Sequence, residues 1–435
     1  MSIFTHDFKT TPYWWEAARP SDDMAEPLPE QTEVAVVGSG YSGLSCALEL
    51  ARSGINVTVI EQNEIGWGAS SRNGGMLSTE PKFANPDELR RKFGAQTTER
   101  ILEDGRATFD NLTEVVEREG IECHLERNGR FVGAHAPKAM RSLEAKAREL
   151  ETDGVEGFEL ISRERLHEVT ESDYYYGGLL SNDGGCLHPG LYQQGLVKAC
   201  KRHGVRMCAQ TQVKQLERDL DGFAVHTTKG VVRANEVVIG TNGYTSSTTP
   251  WHQRRLVPLG SYIIATEELP VEHVESMFRN FCTMSNTQRI LFYYRPSPDH
   301  RRVVFGGRAS FRETDALTSS QQLYEYLCQV FPSLKGTRIT HGWSGNVAFT
   351  FDHLPHMGMH EGMHYCMGCN GSGVQMMSFL GRQIALKIQG KTNRPCGFDD
   401  IPFSTRPFYR GDPSWVLPAL GNWYRLRDRF ERLLA

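Results

Sequence analysis

Glu33-Val34-Ala35-Val36-Val37-Gly38-Ser39-Gly40-Tyr41-Ser42-Gly43 decides the fold, together with Leu44 to Gly54 and Asn56-Val57-Thr58-Val59-Ile60-Glu61 behind it. Val34 to Val37 form a short apolar, β-branched run bounded by glycine, the pattern of a buried strand. Leu44, Ala47, Leu48 and Ala51 recur at helical spacing, and Gly54 closes that helix. Val57, Val59 and Ile60 give a second strand. The result is a βαβ unit with Gly-x-Gly-x-x-Gly at its first turn. Gly38 makes the tight turn, Gly40 lets backbone approach a pyrophosphate, and Gly43 lets helix and strand pack closely. The helix start offers unpaired N–H groups and partial positive charge to phosphates. Glu61 ends the second strand eighteen positions after Gly43, where an acid accepts hydrogen bonds from a ribose. An ordinary glycine-rich turn explains the glycines but leaves Glu61 without a role. The stretch points to an ADP-containing cofactor.

The chain has 435 residues, room for two or three domains. With 39% hydrophobic and 23% charged residues it can bury large cores. A formal net charge of -4 gives no basic bias toward nucleic acid. The ten cysteines lack the spacing of a secreted disulfide scaffold. Nothing before the first strand resembles a signal peptide, and no apolar run is long enough to span a bilayer. A soluble protein of the reducing cytoplasm is expected.

Residues 1–31 carry Pro12-Tyr13-Trp14-Trp15 and then an acidic, proline-containing link. Adjacent tryptophans in a tail imply docking on the body of the protein. After Glu61, Gly66-Trp67-Gly68-Ala69-Ser70-Ser71-Arg72-Asn73-Gly74-Gly75 reads either as a turn around a second phosphate and a flat ring or as a surface loop. Pro86 to Gly120 and Ala136 to Thr152 are charged helices, the first capped by Asn85. Between them, Cys123 to Ala134 predicts a hairpin around Asn128-Gly129. The nucleotide fold resumes near His188 with a helix from Pro189 to His203 and a strand from Val205 to Cys208. Glu236 to Ile239 is another buried strand, ending in the turn Gly240-Thr241-Asn242-Gly243-Tyr244. Ser261 to Thr266, Ile290 to Arg295 and Arg302 to Gly307 read as an antiparallel sheet, covered by a helix from Ser319 to Val330. Strand Tyr365 to Met367 leads through Gly368-Cys369-Asn370-Gly371-Ser372-Gly373-Val374 into a helix ending at Ile388. This is a second glycine turn at a helix start, suited to an electron-rich group.

Four separated motifs give a resemblance: Gly38 to Gly43 with Glu61, Ala69 to Gly75, Gly240 to Tyr244, and Gly371 to Val374. The chain resembles the flavin amine oxidases of the D-amino acid oxidase superfamily, the group with glycine oxidase and sarcosine oxidase. Tyr13-Trp14, Ser71-Arg72-Asn73-Gly74-Gly75, Thr241-Asn242-Gly243-Tyr244, Gly306-Gly307-Arg308 and Trp343-Ser344-Gly345 look most like the bacterial γ-glutamylputrescine oxidase type. The fold this implies is mixed α/β and α+β. A discontinuous Rossmann-like FAD-binding domain (residues 32–84, 185–250 and 340–399) joins an antiparallel-sheet substrate domain (85–184 and 251–339). A docking tail (1–31) and a C-terminal helical tail (400–435) complete it.

By the same resemblance, Gly38, Gly40, Tyr41, Ser42, Gly43, Glu61 and Gln62 surround the nucleotide, Glu61 holds the adenosine ribose, and Val213 meets the adenine through its backbone. Gly68, Ala69, Ser70, Ser71 and Arg72 lie at the phosphates, and Asn73, Gly74 and Gly75 along the flavin ring. Thr241, Asn242 and Gly243 belong to the same site. Gly371, Ser372, Gly373 and Val374 aim a helix start at the electron-rich ring edge, where backbone donors need no reorganisation. Two positions depart from the relatives. Val347 stands where a glycine-oxidase-type segment has the Arg that grips the substrate carboxylate. No cysteine occurs from Gly342 to Gly358, near where monomeric sarcosine oxidase attaches its flavin, so non-covalent FAD is expected.

His353, His356, His360, His364, Cys366 and Cys369 invite a metal reading, but Pro355, Gly358 and Gly362 break any shared helix face and no second C-x-x-C exists. No metal is expected. Of Arg254, Arg255, Arg289, Arg295, Arg301, Arg302 and Arg308, those ending apolar strands, Arg295 and Arg308, are favoured to bind a substrate carboxylate. Tyr262, Tyr293 and Tyr294 alternate with apolar residues, and at least one is expected to line an amine pocket, Tyr262 being the candidate. The final helix, Leu420 to Leu434, places Leu420, Trp423, Phe430 and Leu434 on one side, for docking on its own domain or a twin subunit, with a membrane surface as the alternative.

The expected reaction is hydride transfer from a carbon next to an amine onto the flavin, followed by imine hydrolysis. The expected substrate is a small amine with a carboxylate, sarcosine-like, iminodiacetate-like or a γ-glutamyl-polyamine. Electrons pass to O2, giving peroxide. A dehydrogenase feeding an external carrier and a non-catalytic flavin-binding protein are the alternatives. No second dinucleotide fingerprint argues for NADPH. The protein is expected to be a monomer or homodimer, with no nucleic-acid partner.

Overall fold

The computed structural model describes residues 2–78, 85–152, 154–307, 314–414, 421, 423, 426–428 and 431. Two sheets organise them. In the first, four strands run parallel side by side: Arg206–Cys208, Val57–Ile60, Gln31–Val37 and Gly230–Ile239. Met363–Met367 continues the parallel set beside Ile239, and Val213–Asp219 with Gly222–Thr227 adds an antiparallel arm. Val34, Val36, Val57 and Val59 are almost wholly buried, each contributing roughly 1.5–3 kcal/mol.

Helix Tyr41–Arg52 follows the first strand and packs on helices Pro189–Arg202 and Gly373–Ile388. Two glycines set how closely. Gly38 turns the chain at φ +104, and a Cβ at Gly43 would lie 2.0 Å from the Gly38 carbonyl oxygen. The strand Gln31–Val37 has its neighbours Val57–Ile60 and Gly230–Ile239 on opposite sides, so a crevice opens at its carboxyl end.

The second sheet has nine strands in the order Phe4–Lys9, Ile339–Phe349, Val257–Thr266, Val303–Gly307, Phe292–Pro296, Thr283–Asn286, Arg130–Gly133, Gly178–Ser181 and Phe158–Ile161. It is antiparallel except at the Phe4–Lys9/Ile339–Phe349 and Thr283–Asn286/Arg130–Gly133 pairs. It takes in Phe4–Lys9 and Ile339–Phe349, beyond the boundaries expected at 85–184 and 251–339. Helix Ala316–Val330 covers one face, burying Leu323, Leu327 and Val330.

The hairpin expected at Cys123–Ala134 does not form. Arg130–Gly133 pairs with Gly178–Ser181 and Thr283–Asn286, and Glu126 bridges to Cys186. Asn128 Nδ2 donates to the Phe281 carbonyl at 2.7 Å, so this Asn-Gly pair pins a loop. The last helix, expected from Leu420 to Leu434, lies largely outside the described residues; Gly421, Trp423, Leu426–Asp428 and Glu431 are helical. Among the described residues no helix is long and apolar enough to cross a membrane.

Candidate active site

A cavity of about 1170 Å³ runs from the glycine turn of the first sheet to the face of the second. That exceeds the ~300–1,000 Å³ of a pocket for one drug-sized ligand, as a dinucleotide plus a substrate requires. Gly38, Gly40, Tyr41, Ser42, Glu61, Gln62 and Val213 line it, as do Thr241, Asn242 and Gly243. So do Gly68, Ala69, Ser70, Arg72, Asn73, Gly74 and Gly75 on one side and Gly371, Ser372, Gly373 and Val374 on another. Gly43 stays behind the turn as a packing residue.

These surroundings suit a dinucleotide. Helix Tyr41–Arg52 starts at Gly40, which has no side chain, with Tyr41 N donating to Ser70 Oγ at 2.9 Å, and Gly373–Ile388 starts uncapped after Ser372. Both helix starts therefore present backbone N–H groups and positive potential to the cavity. Glu61 accepts from Ser39 N, Ser39 Oγ and Asn63 N. A carboxylate has about four acceptor positions, so capacity remains for a hydroxyl. A Cβ built on Gly371 meets nothing within 4 Å, leaving that turn open to a ligand.

The loop Ala69–Gly75 is clamped by three indoles. Trp14 Nε1 donates to Asn73 O (2.8 Å), Trp343 Nε1 to Arg72 O (2.7 Å) and Trp15 Nε1 to Ser71 Oγ (3.0 Å). The Asn73 side chain ties Ala69 O, Ser70 O and Gly75 N together from inside. This accounts for Tyr13-Trp14 and Trp343-Ser344-Gly345 as motifs: they are two jaws on one loop. Trp14→Phe and Trp343→Phe each remove a donor and leave a carbonyl unpaired. FAD affinity is expected to fall about tenfold in each, equivalent to ~1.4 kcal/mol, as read by titrating apoprotein with FAD.

Three expected positions are corrected: Ser71, Tyr262 and Arg295 do not line the cavity. Ser71 is buried, and its hydroxyl donates to Gly66 O while accepting from Trp15; it does not reach the cavity. Arg72, by contrast, does line the cavity, sandwiched between the Trp15 and Trp67 rings at 4.5 and 4.1 Å, and burial holds its pKa below the ordinary guanidinium value. Tyr262 points to the opposite face of its strand, into the core under Ala316–Val330, and its hydroxyl accepts from Thr314 N. Arg295 is 2% exposed; it donates to Gly75 O, Leu187 O and Pro296 O, a brace behind the loop and not a cavity group. Arg308 lies outside the described residues.

Of Tyr262, Tyr293 and Tyr294, Tyr293 is the one that lines the cavity, with its hydroxyl 2.8 Å from Ser261 Oγ. Gly306 makes room for it, since a Cβ there would come within 2.2 Å of its ring. Tyr294 is fully buried against Tyr175, with its pKa raised first by burial. Leu259, Ile263, Val347 and Phe349 form apolar wall. Arg130, Arg289, Arg406 and Arg427 also line the space, and among the described residues Glu61 is its one carboxylate. Sequence reasoning missed Arg130, Arg406 and Arg427, because a strand residue and two tail residues give no local sign of facing a common space.

The fold and the site define a dinucleotide-binding protein with a further ligand space against an antiparallel sheet. The chain matches the DAO family, FAD dependent oxidoreductase, over residues 33–386. It is 32% identical to "Gamma-glutamylputrescine oxidoreductase" of Escherichia coli (strain K12), covering 94% of this chain and 95% of that one. Its fold is similar to crystal structures of glycine oxidase from Geobacillus kaustophilus (TM-score 0.70, 20% identity, 87% of this chain and 99% of that one) and iminodiacetate oxidase from Chelativorans sp. BNC1 (TM-score 0.67, 18%, 86% and 98%). The chain belongs to the DAO family and is an FAD-dependent enzyme.

Proposed function

We propose that the enzyme oxidises the C–N bond of a small primary or secondary amine that carries a carboxylate. Sarcosine-like, iminodiacetate-like and γ-glutamyl-polyamine compounds are the candidates. The observation that carries this reading is the make-up of the cavity wall: among the described residues Arg72, Arg130, Arg289, Arg406 and Arg427 line it, and Glu61 is its one carboxylate. A dicationic polyamine meets repulsion there, whereas an amine with an acidic group finds partners. The relative named for γ-glutamylputrescine and the neighbour named for iminodiacetate both act on compounds of that description.

FAD, held without a covalent bond, supplies the two-electron acceptor for the C–H bond beside the amine nitrogen. The chain's residues bind and orient. Glu61 would take a ribose hydroxyl, and the Gly38–Ser42 turn the pyrophosphate. Asn73, Gly74 and Gly75 would lie along the ring, with the Gly371–Val374 helix start at its electron-rich edge. Val347, Leu259 and Phe349 exclude water, which favours the neutral amine needed for C–H cleavage. The Tyr293–Ser261 pair offers one hydroxyl to fix the substrate. The imine then hydrolyses, and the electrons pass to O2 as H2O2.

The test is anaerobic mixing of holoenzyme with sarcosine, iminodiacetate, γ-glutamylputrescine, putrescine and D-alanine. Bleaching of the flavin is expected with at least one carboxylated amine and not with putrescine. Peroxide on admission of air identifies an oxidase; bleaching without peroxide identifies a dehydrogenase. No bleaching by any amine defeats the proposal.

A further inference from the structure

We infer that Arg406 anchors the carboxylate of a long amine substrate, at the far end of an apolar groove that begins at Leu259 and Val347. The inference deepens the amine-oxidase reading and rests on it for the place of the flavin ring. The groove is built from alternate residues of two paired strands. Ser261, Leu259 and Val257 on one, and Gly345, Val347 and Phe349 on the other, all line the cavity. Ser261 pairs with Gly345, Leu259 with Val347 and Val257 with Phe349, so the six form three rungs in file. The first rung lies against the Ala69–Gly75 loop, since a Cβ on Gly345 would be 3.9 Å from Ala69 Cα. Phe351, two positions past the last rung, also lines the cavity, and the Arg406 guanidinium lies 5.7 Å from its ring centroid. At about 3.3 Å per residue, this rim stands on the order of 10 Å past Val347.

The segment that carries Arg406 is tied down on both sides. Before it, the Phe403 carbonyl accepts from Arg255 Nε at 2.8 Å, and the Thr405 hydroxyl donates to the Arg254 carbonyl. After it, the Tyr409 hydroxyl donates to the Leu256 carbonyl at 2.7 Å, and the Tyr409 ring meets Phe351 edge-on at 5.2 Å. Tyr409 N donates to Arg406 O at 3.2 Å, closing a turn with Pro407 and Phe408 in its middle. Pro407 presets φ at the second position, and Phe408 takes φ +70 at the third, where glycine is usual. A bulky residue in that conformation is strained, and the ties on either side hold it there. Arg406, Pro407 and Tyr409 line the cavity, while Phe408 stands 92% exposed.

The other arginines of the wall are occupied. Arg72 Nε donates to Trp67 O, and Arg130 donates to the Ser78 and Ser285 hydroxyls. Arg289 is paired with Asp428 and Glu431, and Arg427 lies 3.9 Å from Glu431. Among the described residues the Arg406 side chain makes no hydrogen bond or ion pair; it rests over Phe351. Its planar fork is open to a carboxylate, which guanidinium binds through two parallel hydrogen bonds. Leu259, Val257, Val347 and Phe349 offer no donor to an acid placed nearer the loop, so the spacing selects length. The geometry favours the γ-glutamyl-polyamine end of the candidate range over the sarcosine-like end.

The test uses holoenzyme and four unreactive probes, octanoate with octanamide and acetate with acetamide, with binding read from perturbation of the visible flavin spectrum. Octanoate is expected to bind at least tenfold more tightly than octanamide, with the advantage shrinking as salt rises. Acetate, too short to span the groove, should show no such advantage over acetamide. Arg406 is exposed, so its substitution leaves the core intact. Arg406→Met should remove most of the octanoate preference, and Arg406→Lys should keep part of it. Equal binding of octanoate and octanamide, a preference unchanged in Arg406→Met, or an equal preference for acetate overturns the inference. An Arg406-dependent octanoate preference in an enzyme that no amine bleaches would sink the amine reading alone. Bleaching by carboxylated amines with no octanoate preference would sink this anchor alone.

Discussion

Gly43→Ala is expected to give a protein that retains no FAD. The added methyl carbon would lie 2.0 Å from the Gly38 carbonyl oxygen and 3.3 Å from Val36 Cγ1. The first contact is backbone, so no side-chain rotation relieves it. Either helix Tyr41–Arg52 lifts from the first strand, or the Gly38 turn opens, and both move the N–H groups meant for the pyrophosphate. The helix cannot lift freely, because Gly381 packs against the Ser42 carbonyl from the other side, where a Cβ would have 2.2 Å. FAD affinity should fall at least a hundredfold, about 2.7 kcal/mol or more. Absorbance of the purified variant in the flavin bands, beside its circular dichroism, checks this. A yellow, fully loaded Gly43→Ala protein would refute the placement of the cofactor at this turn.

Arg295→Met should act on stability and not on substrate choice. The side chain is buried, and its guanidinium satisfies the Leu187 and Gly75 carbonyls at 2.7 and 3.3 Å. Methionine fills similar volume but donates nothing. These carbonyls and that of Pro296, three in all, lose charge-assisted partners worth roughly 1.5–3 kcal/mol each, offset by the removed cost of burying a charge. A net loss of about 3 kcal/mol, on the order of 3 °C in Tm for a chain of 435 residues, is expected. Activity on carboxylated amines and on their uncharged analogues should drop by the same factor. A rise in KM confined to the carboxylated amines, with Tm unchanged, would restore Arg295 as a substrate ligand.

The nucleotide half was legible because its signals are local. Glycines at fixed offsets punctuate β-branched runs, and Gly38 and Gly43 do physically what their spacing implies. The strand set from Gln31 to Ile239 and the helices Pro189–Arg202 and Gly373–Ile388 emerge from the same punctuation. The second sheet was legible as strands but not as an order. Its neighbours are remote in sequence, as where Arg130–Gly133 pairs with Thr283–Asn286.

Alternation along a strand shows that residues share a face but not which face meets the cavity. Tyr262 was therefore preferred to Tyr293, although Ser261, its immediate neighbour, lies on the cavity side. Arg295 shares a face with Tyr293, but its guanidinium ends behind the Ala69–Gly75 loop. Only packing against a segment more than 200 positions away separates those two fates. The Asn128-Gly129 pair shows the same limit, since a turn signal states that the chain bends and not what it bends toward.

The strand Phe4–Lys9 closes the edge of the second sheet against Ile339–Phe349, with Thr5 and Ile339 bonded across 334 positions of sequence. Its partner is among the later segments to be synthesised. At about 5–20 residues per second, the leading segment waits roughly 15–70 s at the ribosome before its mate emerges. Trp14 and Trp343 arrive at the loop they grip over the same interval, so the flavin cradle is completed only after Trp343 has emerged. Loading with FAD is thus a late event in the birth of this enzyme, and a nascent chain stalled before residue 339 should emerge without colour.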